Sequence, residues 1–243
     1  MKLLKIISLY LGTVSMCCLY MACSKSNNDK IAAEDKDLKS SAVVQVYNAV
    51  VNSTGTTNVY VDGVPVTGAA LTFGTAFPAS GYAFKVKPGL RGFSIRSTST
   101  SPVQAPIIFS ENFEPNKKYL IIMYDTTTTA KQLTFENNIV IPSDTTARVK
   151  FANFIYNNTD VLPVDIFSKR RNQNIFSNVS RTQVTDFIPY ASSVSDTLIV
   201  REAGTLNQLT VLNGFSPTPK RSYTLIYRGS HKGTRTLSSF TND

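Results

Sequence analysis

The stretch that decides the fold is Ala42-Val43-Val44-Gln45-Val46-Tyr47-Asn48, in which alternate side chains point to opposite faces of an extended chain. Val44 and Val46 lie on one face, and Gln45 and Tyr47 lie on the other. This period of two predicts a β-strand. The pattern returns 105 residues later as Ala147-Arg148-Val149-Lys150-Phe151-Ala152-Asn153. A return at this spacing indicates two copies of one unit rather than one long fold.

Further matches extend the comparison along most of the chain. At the same offset two more segments superimpose, and two later aromatic positions match after small changes of length. The segments are Asn58-Val59-Tyr60-Val61 with Pro163-Val164-Asp165-Ile166 and Phe93-Ser94-Ile95-Arg96 with Leu198-Ile199-Val200-Arg201, and the aromatic positions are Phe113 with Phe215 and Tyr119 with Tyr223. We therefore assign domains to residues 42–136 (copy one) and 147–243 (copy two), joined by a short linker at residues 137–146.

Each copy has about seven short β-rich segments separated by turn residues, and neither has convincing helical periodicity. The predicted fold class is all-β, with two tandem immunoglobulin-like antiparallel β-sandwich domains. Asp62-Gly63 predicts a tight hairpin turn. The sequence contains no tryptophan, so the cores must consist of aliphatic side chains, phenylalanine and tyrosine. The short linker is expected to limit the relative motion of the domains.

The N-terminal residues have the layout of a secretory signal. Lys2 and Lys5 precede an uncharged, mostly apolar run at residues 6–21. The run ends in Ala22-Cys23, which resembles the lipobox of bacterial lipoproteins, where cleavage leaves an N-terminal cysteine that is then acylated, for example with palmitate. Tyr20 stands where leucine is usual, a looseness typical of Bacteroidetes-type lipoproteins. The resemblance implies a cleaved signal peptide at residues 1–22 and a lipidated Cys23, and the polar residues up to 41 predict a flexible tether.

Two other interpretations of the leader stay open. The apolar run could remain as a transmembrane anchor, although about 17 residues is the lower limit for spanning a bilayer. It could also be the ordinary signal of a secreted protein. The preferred location is the cell envelope, at the outer membrane, on either face. Cleavage before Cys23 removes Cys17 and Cys18, so the mature chain could form no internal disulfide.

Copy one also resembles the bacterial domain-of-unknown-function 4397 family. The matching motifs are the opening strand Val44-Gln45-Val46-Tyr47-Asn48-Ala49, the segment Val59-Tyr60-Val61-Asp62-Gly63 and the element Phe73-Gly74-Thr75. Copy two is divergent: it keeps a similar strand, Arg221-Ser222-Tyr223-Thr224-Leu225-Ile226, but lacks the Asp-Gly turn and the Phe-Gly-Thr element. The resemblance implies surface or secreted β domains in tandem lipoproteins, and it brings no catalytic residues.

The charge and the reactive residues limit the possible functions. Loss of Lys2 and Lys5 with the leader lowers the formal charge from +9 to +7, which favours anionic partners, but there is no signature of a nucleic-acid-binding module. The only histidine, His231, lies in a polar turn, and neither Gly-x-Ser-x-Gly nor Ser-x-x-Lys occurs. We expect no enzyme activity, cofactor or metal. Chemistry by paired carboxylates is the one enzymatic class left open.

Aspartates near strand ends could in principle bind calcium, but turn formation explains them more simply. These residues are Asp62, Asp125, Asp144, Asp165 and Asp196.

The candidates that remain are binding surfaces. Lys169-Arg170-Arg171 predicts a cationic hairpin tip that could bind anions. The tyrosines could stack on sugars, although their strand positions favour the core. The preferred function is a membrane-anchored, non-catalytic binding or adhesion module, with the membrane held through Cys23 and with glycans or envelope proteins as partners. The alternative is a structural or spacer component of an envelope complex, assembled through strand edges.

Overall fold

The computed structural model describes residues 40–66, 71–79, 84–139 and 141–242. The chain divides into two units, Met1–Lys39 and Ser40–Asp243, and every described residue belongs to the second. The predicted signal peptide, Cys23 and nearly all of the tether therefore lie outside the described residues. Within the described ranges all regular elements are strands, and no helix is long and apolar enough to cross a membrane. The all-β prediction is confirmed.

Seventeen strands follow one another along the described chain. Those of copy one are β1 (Ala42–Asn48), β2 (Thr57–Val61), β3 (Val64–Pro65), β4 (Ala76–Phe77), β5 (Phe84–Val86), β6 (Gly89–Ser97), β7 (Ile107–Phe113), β8 (Lys118–Tyr124) and β9 (Lys131–Glu136). Those of copy two are β10 (Ala147–Tyr156), β11 (Val164–Ser168), β12 (Gln173–Val179), β13 (Ile188–Tyr190), β14 (Asp196–Glu202), β15 (Gln208–Phe215), β16 (Ser222–Ser230) and β17 (Arg235–Thr241).

The two copies have the same topology. In copy one, β4 and β5 both pair with β1, which continues the order β1-β8-β9, and the second sheet has the order β3-β2-β6-β7. In copy two the corresponding orders are β13-β10-β16-β17 and β12-β11-β14-β15. We call β4/β5-β1-β8-β9 and β13-β10-β16-β17 the inner sheets.

One feature of the inner sheets corrects the prediction of a purely antiparallel fold. β1 pairs with β8 in parallel, and β10 pairs with β16 in parallel. Parallel neighbours need a long crossover connection. Most of each copy lies between the two strands of the pair, which supplies that connection.

Each copy encloses a core of its own between its two sheets. In copy one, alternate residues of β1 and β6 face each other, including Val44, Val46, Phe93 and Ile95, all of them at most 1% exposed. In copy two the corresponding core includes Val149, Phe151, Leu198 and Val200. Two sheets with facing apolar sides form a β-sandwich, so the predicted sandwich architecture is confirmed. The exact domain boundaries stay a prediction.

The predicted match of Tyr119 with Tyr223 has a structural counterpart. The backbone N–H of Glu114 donates to the Tyr119 hydroxyl at 3.0 Å, and that of Thr218 donates to the Tyr223 hydroxyl at 3.0 Å. Each tyrosine ring also meets a phenylalanine edge-on, with interplanar angles of 87° and 89°. A tyrosine tied back to backbone a few residues upstream also occurs in immunoglobulin-like sandwiches.

Strand register corrects one part of the repeat. Asn58 pairs with Arg96 in copy one, and Asp165 pairs with Arg201 in copy two. At an offset of 105, Arg96 corresponds to Arg201, but Asn58 corresponds to Pro163 and not to Asp165. The predicted superpositions of β2 on β11 and of β6 on β14 therefore cannot both hold at one offset, because the two pairs differ in register by two residues. An even shift leaves every side chain on its original face, which is why the apolar pattern did not reveal it.

A third core joins the copies, inner sheet against inner sheet. We call it the inter-copy core, and its buried residues are Tyr47, Ala49, Ala76, Leu120, Ile122, Ala152, Phe154, Ile226 and Phe240. The contacts are reciprocal. Tyr47 on β1 stacks on Phe240 of β17 with ring centroids 4.8 Å apart, and Phe154 on β10 meets Phe135 of β9 at 6.2 Å. Since the same faces of both copies meet, the interface resembles that of a two-fold dimer.

The Phe73-Gly74-Thr75 element contributes to this interface. The Arg228 side chain of copy two lies 4.7 Å over the Phe73 ring and donates to the Tyr47 hydroxyl at 2.8 Å. A Cβ on Gly74 would lie 2.4 Å from the Arg228 guanidinium, and Gly74 has a φ of +79°. The backbone conformation therefore favours glycine, and a Cβ at this position would also displace the Arg228 guanidinium.

Copy two keeps the backbone of this element without its sequence. Gly74 N–H donates to the Asn48 carbonyl, and Thr182 N–H donates to the Asn153 carbonyl, each at 2.7 Å. Thr182 has a φ of +64°, an uncommon conformation for a β-branched residue. Thr182 thus occupies the place of Gly74, so the absence of Phe-Gly-Thr from copy two does not remove the loop.

Candidate ligand cleft between the sandwiches

The candidate site is built around Lys150, which lies on β10. Alternate residues of this strand face different cores: Val149 and Phe151 face the core of copy two, and Ala152 and Phe154 face the inter-copy core. Lys150 is on the side of Ala152 and Phe154 because the strand has a period of two. It is only 3% exposed. The alternation of β10 therefore directs a lysine into the region where the copies meet.

The ammonium group of Lys150 has few partners. Nζ donates to Asn137 Oδ1 at 2.7 Å, and it lies 5.0 Å from the centre of the Phe187 ring. Among the described residues, no Asp or Glu forms a salt bridge with it. Burial lowers the pKa of Lys150 to about 7, and the charge of Asp186 opposes this only in part. Desolvation disfavours the charged amine, so neutral and protonated lysine coexist near neutral pH.

A cleft of about 390 Å³ opens onto Lys150. Three groups of residues form it: the end of β9 with the start of the linker, the start of β10, and the segment before β13. These lining residues are Phe135, Glu136, Asn138, Arg148, Lys150, Val184, Thr185, Asp186 and Phe187. The volume is within the range of small-molecule sites, about 300–1,000 Å³. The lining combines two aromatic rings with charges of both signs.

The other charged groups of the cleft are partly occupied. Glu136 accepts a hydrogen bond from Lys117 at 2.7 Å. Arg148 Nη1 donates to Thr146 Oγ1 at 2.6 Å. Asp186 is exposed at the rim. A ligand could therefore find both hydrogen-bond donors and carboxylate acceptors around an apolar wall.

The equivalent position in copy one is Gln45, 105 residues earlier, which is also 3% exposed and whose amide is hydrogen-bonded on both its nitrogen and its oxygen. Gln45 Nε2 donates to the Thr241 carbonyl at 2.8 Å and to the Pro78 carbonyl at 3.2 Å, and Gln45 Oε1 accepts from Asn242 Nδ2 at 3.0 Å. Asn242 follows β17 just as Asn137 follows β9. Each copy thus sends one side chain to the asparagine after the last strand of the other copy.

The two ends of the interface differ in chemistry. At one end is Gln45, a neutral amide that makes three hydrogen bonds, to Thr241, Pro78 and Asn242. At the other end a lysine takes its place beside an open cleft. Burying a charged group is far more costly than burying a hydrogen-bonded amide. A neutral side chain would therefore stabilise this end of the interface better than Lys150 does.

The predicted anion-binding residues Lys169, Arg170 and Arg171 do form a hairpin tip, between β11 and β12. The side chains of Lys169 and Arg170 are exposed. The guanidinium of Arg171 instead lies 4.4 Å over the Tyr190 ring and donates to the Pro189 carbonyl at 3.3 Å. The guanidinium of Arg170 also lies over the Tyr190 ring, at 5.9 Å from its centre, but its side chain stays exposed, so the tip presents two exposed cations rather than three.

A buried carboxylate supports this tip. Asp196 accepts hydrogen bonds from the hydroxyls of Ser168 and Tyr190 and from the backbone N–H of Arg170 and Thr197. Burial opposes ionisation of Asp196, but these four bonds outweigh it and hold the pKa of the carboxyl below its usual value. Lys169 and Arg170 border a shallow depression of about 240 Å³ above it. The nearby negative charge reduces the attraction of the tip for anions.

The remaining residues singled out in the sequence have structural roles. Each of the five aspartates near strand ends accepts intrachain hydrogen bonds, as Asp165 does from Asn174, Asn178 and Gly204. His231 lies in the turn between β16 and β17, and its N–H donates to the Tyr156 carbonyl at 2.8 Å. In the described part of the chain no three His, Cys, Asp or Glu residues are grouped to hold a metal.

Sequence reasoning missed Lys150 as a candidate. In the sequence, Lys150 is noted only as one residue of the repeated strand at residues 147–153. A usable signal was present, because the repeat aligns Lys150 with the neutral Gln45 at a position where neighbouring residues match in character. A charge difference between equivalent positions of two copies is readable from sequence, whereas its burial is not.

No family model matches the chain, and no curated protein matches it either. Among solved structures, the chain is similar to the carbohydrate-binding module CBMbc (family CBM26) of Amy13K from Eubacterium rectale, crystallised in complex with maltoheptaose. The two are 9% identical, and the alignment covers 82% of this chain and 96% of that one with a TM-score of 0.28. At this level the similarity does not assign a ligand to the chain.

Proposed function

We propose that this chain is a cell-envelope lipoprotein, anchored through Cys23, that binds a ligand non-covalently in the cleft around Lys150. The observation that carries the ligand site is the contrast between Lys150 and Gln45. The neutral glutamine reaches the asparagine of the other copy without burying a charge, so a buried lysine that makes the equivalent contact costs stability that the contact does not require. Residues that reduce stability are often retained because they serve function.

The lining of the cleft favours a sugar as the ligand. A sugar ring has apolar C–H faces that can lie against aromatic rings such as Phe135 and Phe187. Its hydroxyls need both donors and acceptors, which Lys150 and the carboxylates of Glu136 and Asp186 supply. Small-molecule sites typically combine such an apolar wall with a few polar groups that fix orientation. The proposal thus specifies glycan binding and requires no catalytic residue.

Binding should be tested on residues 40–243, which form a unit of their own. The fragment and its Lys150→Gln variant would be applied to immobilised neutral and acidic glycans, and hits would be measured by calorimetry. The variant copies the residue that copy one uses, so it is the matched control. We expect at least tenfold weaker binding by Lys150→Gln. Equal binding by both proteins would place the glycan site elsewhere, and no binding by either would refute the glycan proposal.

The anchor is tested separately. Radiolabelled palmitate should be incorporated by cells that express the parent chain and not by cells that express Cys23→Ala. Protease treatment of intact cells should remove the β domains if they face outward. If the domains are protected until the outer membrane is opened, adhesion to host or neighbouring cells is excluded. Equal labelling of the parent and the variant would refute the lipoprotein proposal.

The cationic tip is a second, smaller binding hypothesis. Of the three cationic residues, only Lys169 and Arg170 are exposed, so a double variant with glutamine at both positions is the sharper test. Arg171→Gln is the control for loss of packing on Tyr190. Weaker binding of lipopolysaccharide by the double variant alone supports anion binding at the tip. Unchanged binding by that variant contradicts it.

One observation favours the alternative structural role. β7 ends the order β3-β2-β6-β7 and, among the described strands, pairs only with β6. Ile108 on this strand is 76% exposed, and Leu90 on β6 is 71% exposed. An open edge beside apolar side chains can receive a strand from a partner. Replacing Ser110 with proline should then abolish copurification of an envelope complex, whereas an intact complex would contradict this role.

A further inference from the structure

The chemistry available to Lys150 goes beyond hydrogen bonding. Lys150 lines a cleft, and its Nζ is hydrogen-bonded to the neutral amide oxygen of Asn137 and has no carboxylate in salt-bridge contact among the described residues. An ammonium in this position is largely desolvated, and the charge of Asp186 offsets this only in part. A neutral amine is free of that penalty, and its nitrogen lone pair makes it a nucleophile.

The charges around Lys150 do not reverse the preference of this position for a neutral amine. Arg148, two residues away on β10, lines the same cleft, and its Nη1 donates to Thr146 Oγ1 at 2.6 Å. Glu136 at the end of β9 is hydrogen-bonded to Lys117. Asp186, in the segment before β13, raises the pKa of Lys150 but by less than burial lowers it, and the resulting pKa is about 7. The hydrogen bond to a neutral amide and the lowered pKa thus both favour a neutral amine at Lys150.

We propose that Lys150 captures small aldehydes reversibly, as an imine formed within the cleft. The Nζ lone pair attacks the carbonyl carbon, and a carbinolamine forms. The two amine protons then leave with the carbonyl oxygen as water, and a C=N bond remains. No oxidant or reductant is consumed. The rings of Phe135 and Phe187 border the cleft, so an aldehyde with a flat, ring-sized body is the class that fits.

This inference shares the cleft with the proposed function but does not depend on the glycan. A non-covalent ligand needs donors and acceptors at the rim, whereas imine formation needs only an accessible neutral amine. An amine with the ordinary lysine pKa of about 10.4 is neutral in fewer than about one molecule in a thousand at pH 7, compared with about one in two when the pKa is 7. Lower intrinsic nucleophilicity and restricted access offset part of this difference.

The test is reductive trapping on residues 40–243 at pH 7, with benzaldehyde as the probe and cyanoborohydride as the reductant. Labelling of each lysine would be measured by peptide mass spectrometry. We expect Lys150 to be labelled at least tenfold faster than the exposed Lys169, which is the internal control. Labelling at Lys150 should level off above pH 8, whereas labelling of an amine with the ordinary lysine pKa continues to rise to pH 9.

Two results would overturn the inference. One is labelling of Lys150 at pH 7 that is no faster than that of Lys169. The other is an equal rise of both between pH 7 and pH 9. Lys150→Gln should lose the fast site and keep the slow ones, and its urea unfolding curve verifies that it folds. Glycan binding is measured without aldehyde, so failure of one proposal is distinguishable from failure of the other.

Discussion

Replacing Lys150 with glutamine is expected to stabilise the protein, and by more at pH 7 than at pH 9. In the folded protein the amine loses its proton near pH 7, and in the unfolded chain near pH 10.5. Between these values the unfolded state holds the extra proton, so the stability of the parent rises with pH in this window. Glutamine does not titrate. The advantage of the variant therefore shrinks as the pH rises.

The magnitude follows from the pKa. A fall from 10.5 to about 7 corresponds to about 5 kcal/mol at 1.36 kcal/mol per pKa unit, and this full cost applies below about pH 6. The cost is about 4 kcal/mol at pH 7 and about 2 kcal/mol at pH 9. The difference between parent and variant should thus fall by about 2 kcal/mol between these pH values. Changes in packing do not depend on pH, so they do not contribute to this fall.

The assay is urea unfolding followed by far-UV circular dichroism, since the chain has no tryptophan. Free energies of unfolding would be compared at half-unit steps from pH 6 to pH 9. Lys169→Gln is the matched control because it removes a positive charge from the surface. Its stability should run parallel to that of the parent. If Lys150→Gln also runs parallel to the parent, burial does not disfavour the charged amine, and the argument for the cleft fails.

Other perturbations address the interface and the hairpin tip. Gly74→Ala should lower the free energy of unfolding more than Gly204→Ala does. Both glycines have positive φ values, which costs about 1 kcal/mol for alanine, but only at Gly74 does the Arg228 guanidinium lie where the Cβ would be. Equal losses in urea unfolding would exclude a role for the arginine. Phe154→Ala should lower the free energy of unfolding by about 3–5 kcal/mol, because Phe154 is 2% exposed in the inter-copy core. A loss under 1 kcal/mol would mean that packing between the copies does not stabilise the fold. Asp196→Asn should lower stability above pH 5, since the amide offers one acceptor oxygen fewer to four donors. The parent carboxylate has a lowered pKa and contributes stability that is lost as the pH falls through it, so the two proteins should converge in acid, and a constant difference from pH 3 to pH 7 would contradict this.

The features that sequence alone determined are those that repeat locally along the chain. The alternation around Val44 and Val46 predicted strands because a period of two is a property of the extended backbone itself. The Asp62-Gly63 pair predicted a hairpin turn, and both residues adopt positive φ, 50° and 82°, between the paired Val61 and Val64. The repeat predicted two copies, and the shared sheet orders agree with it. These inferences needed no knowledge of what each strand would pack against.

The tertiary structure alone decided the pairing of strands, the meeting of the inner sheets and the environment of Lys150. Parallel pairing of β1 with β8, and the two-residue difference in register between β2–β6 and β11–β14, depend on contacts between distant residues that no local pattern encodes. The cleft depends on the same kind of contact, because Lys150 is desolvated by the linker, β9 and the segment before β13 together. A lysine in an alternating strand is expected to face solvent, and only burial in the region where the two copies meet makes its pKa fall.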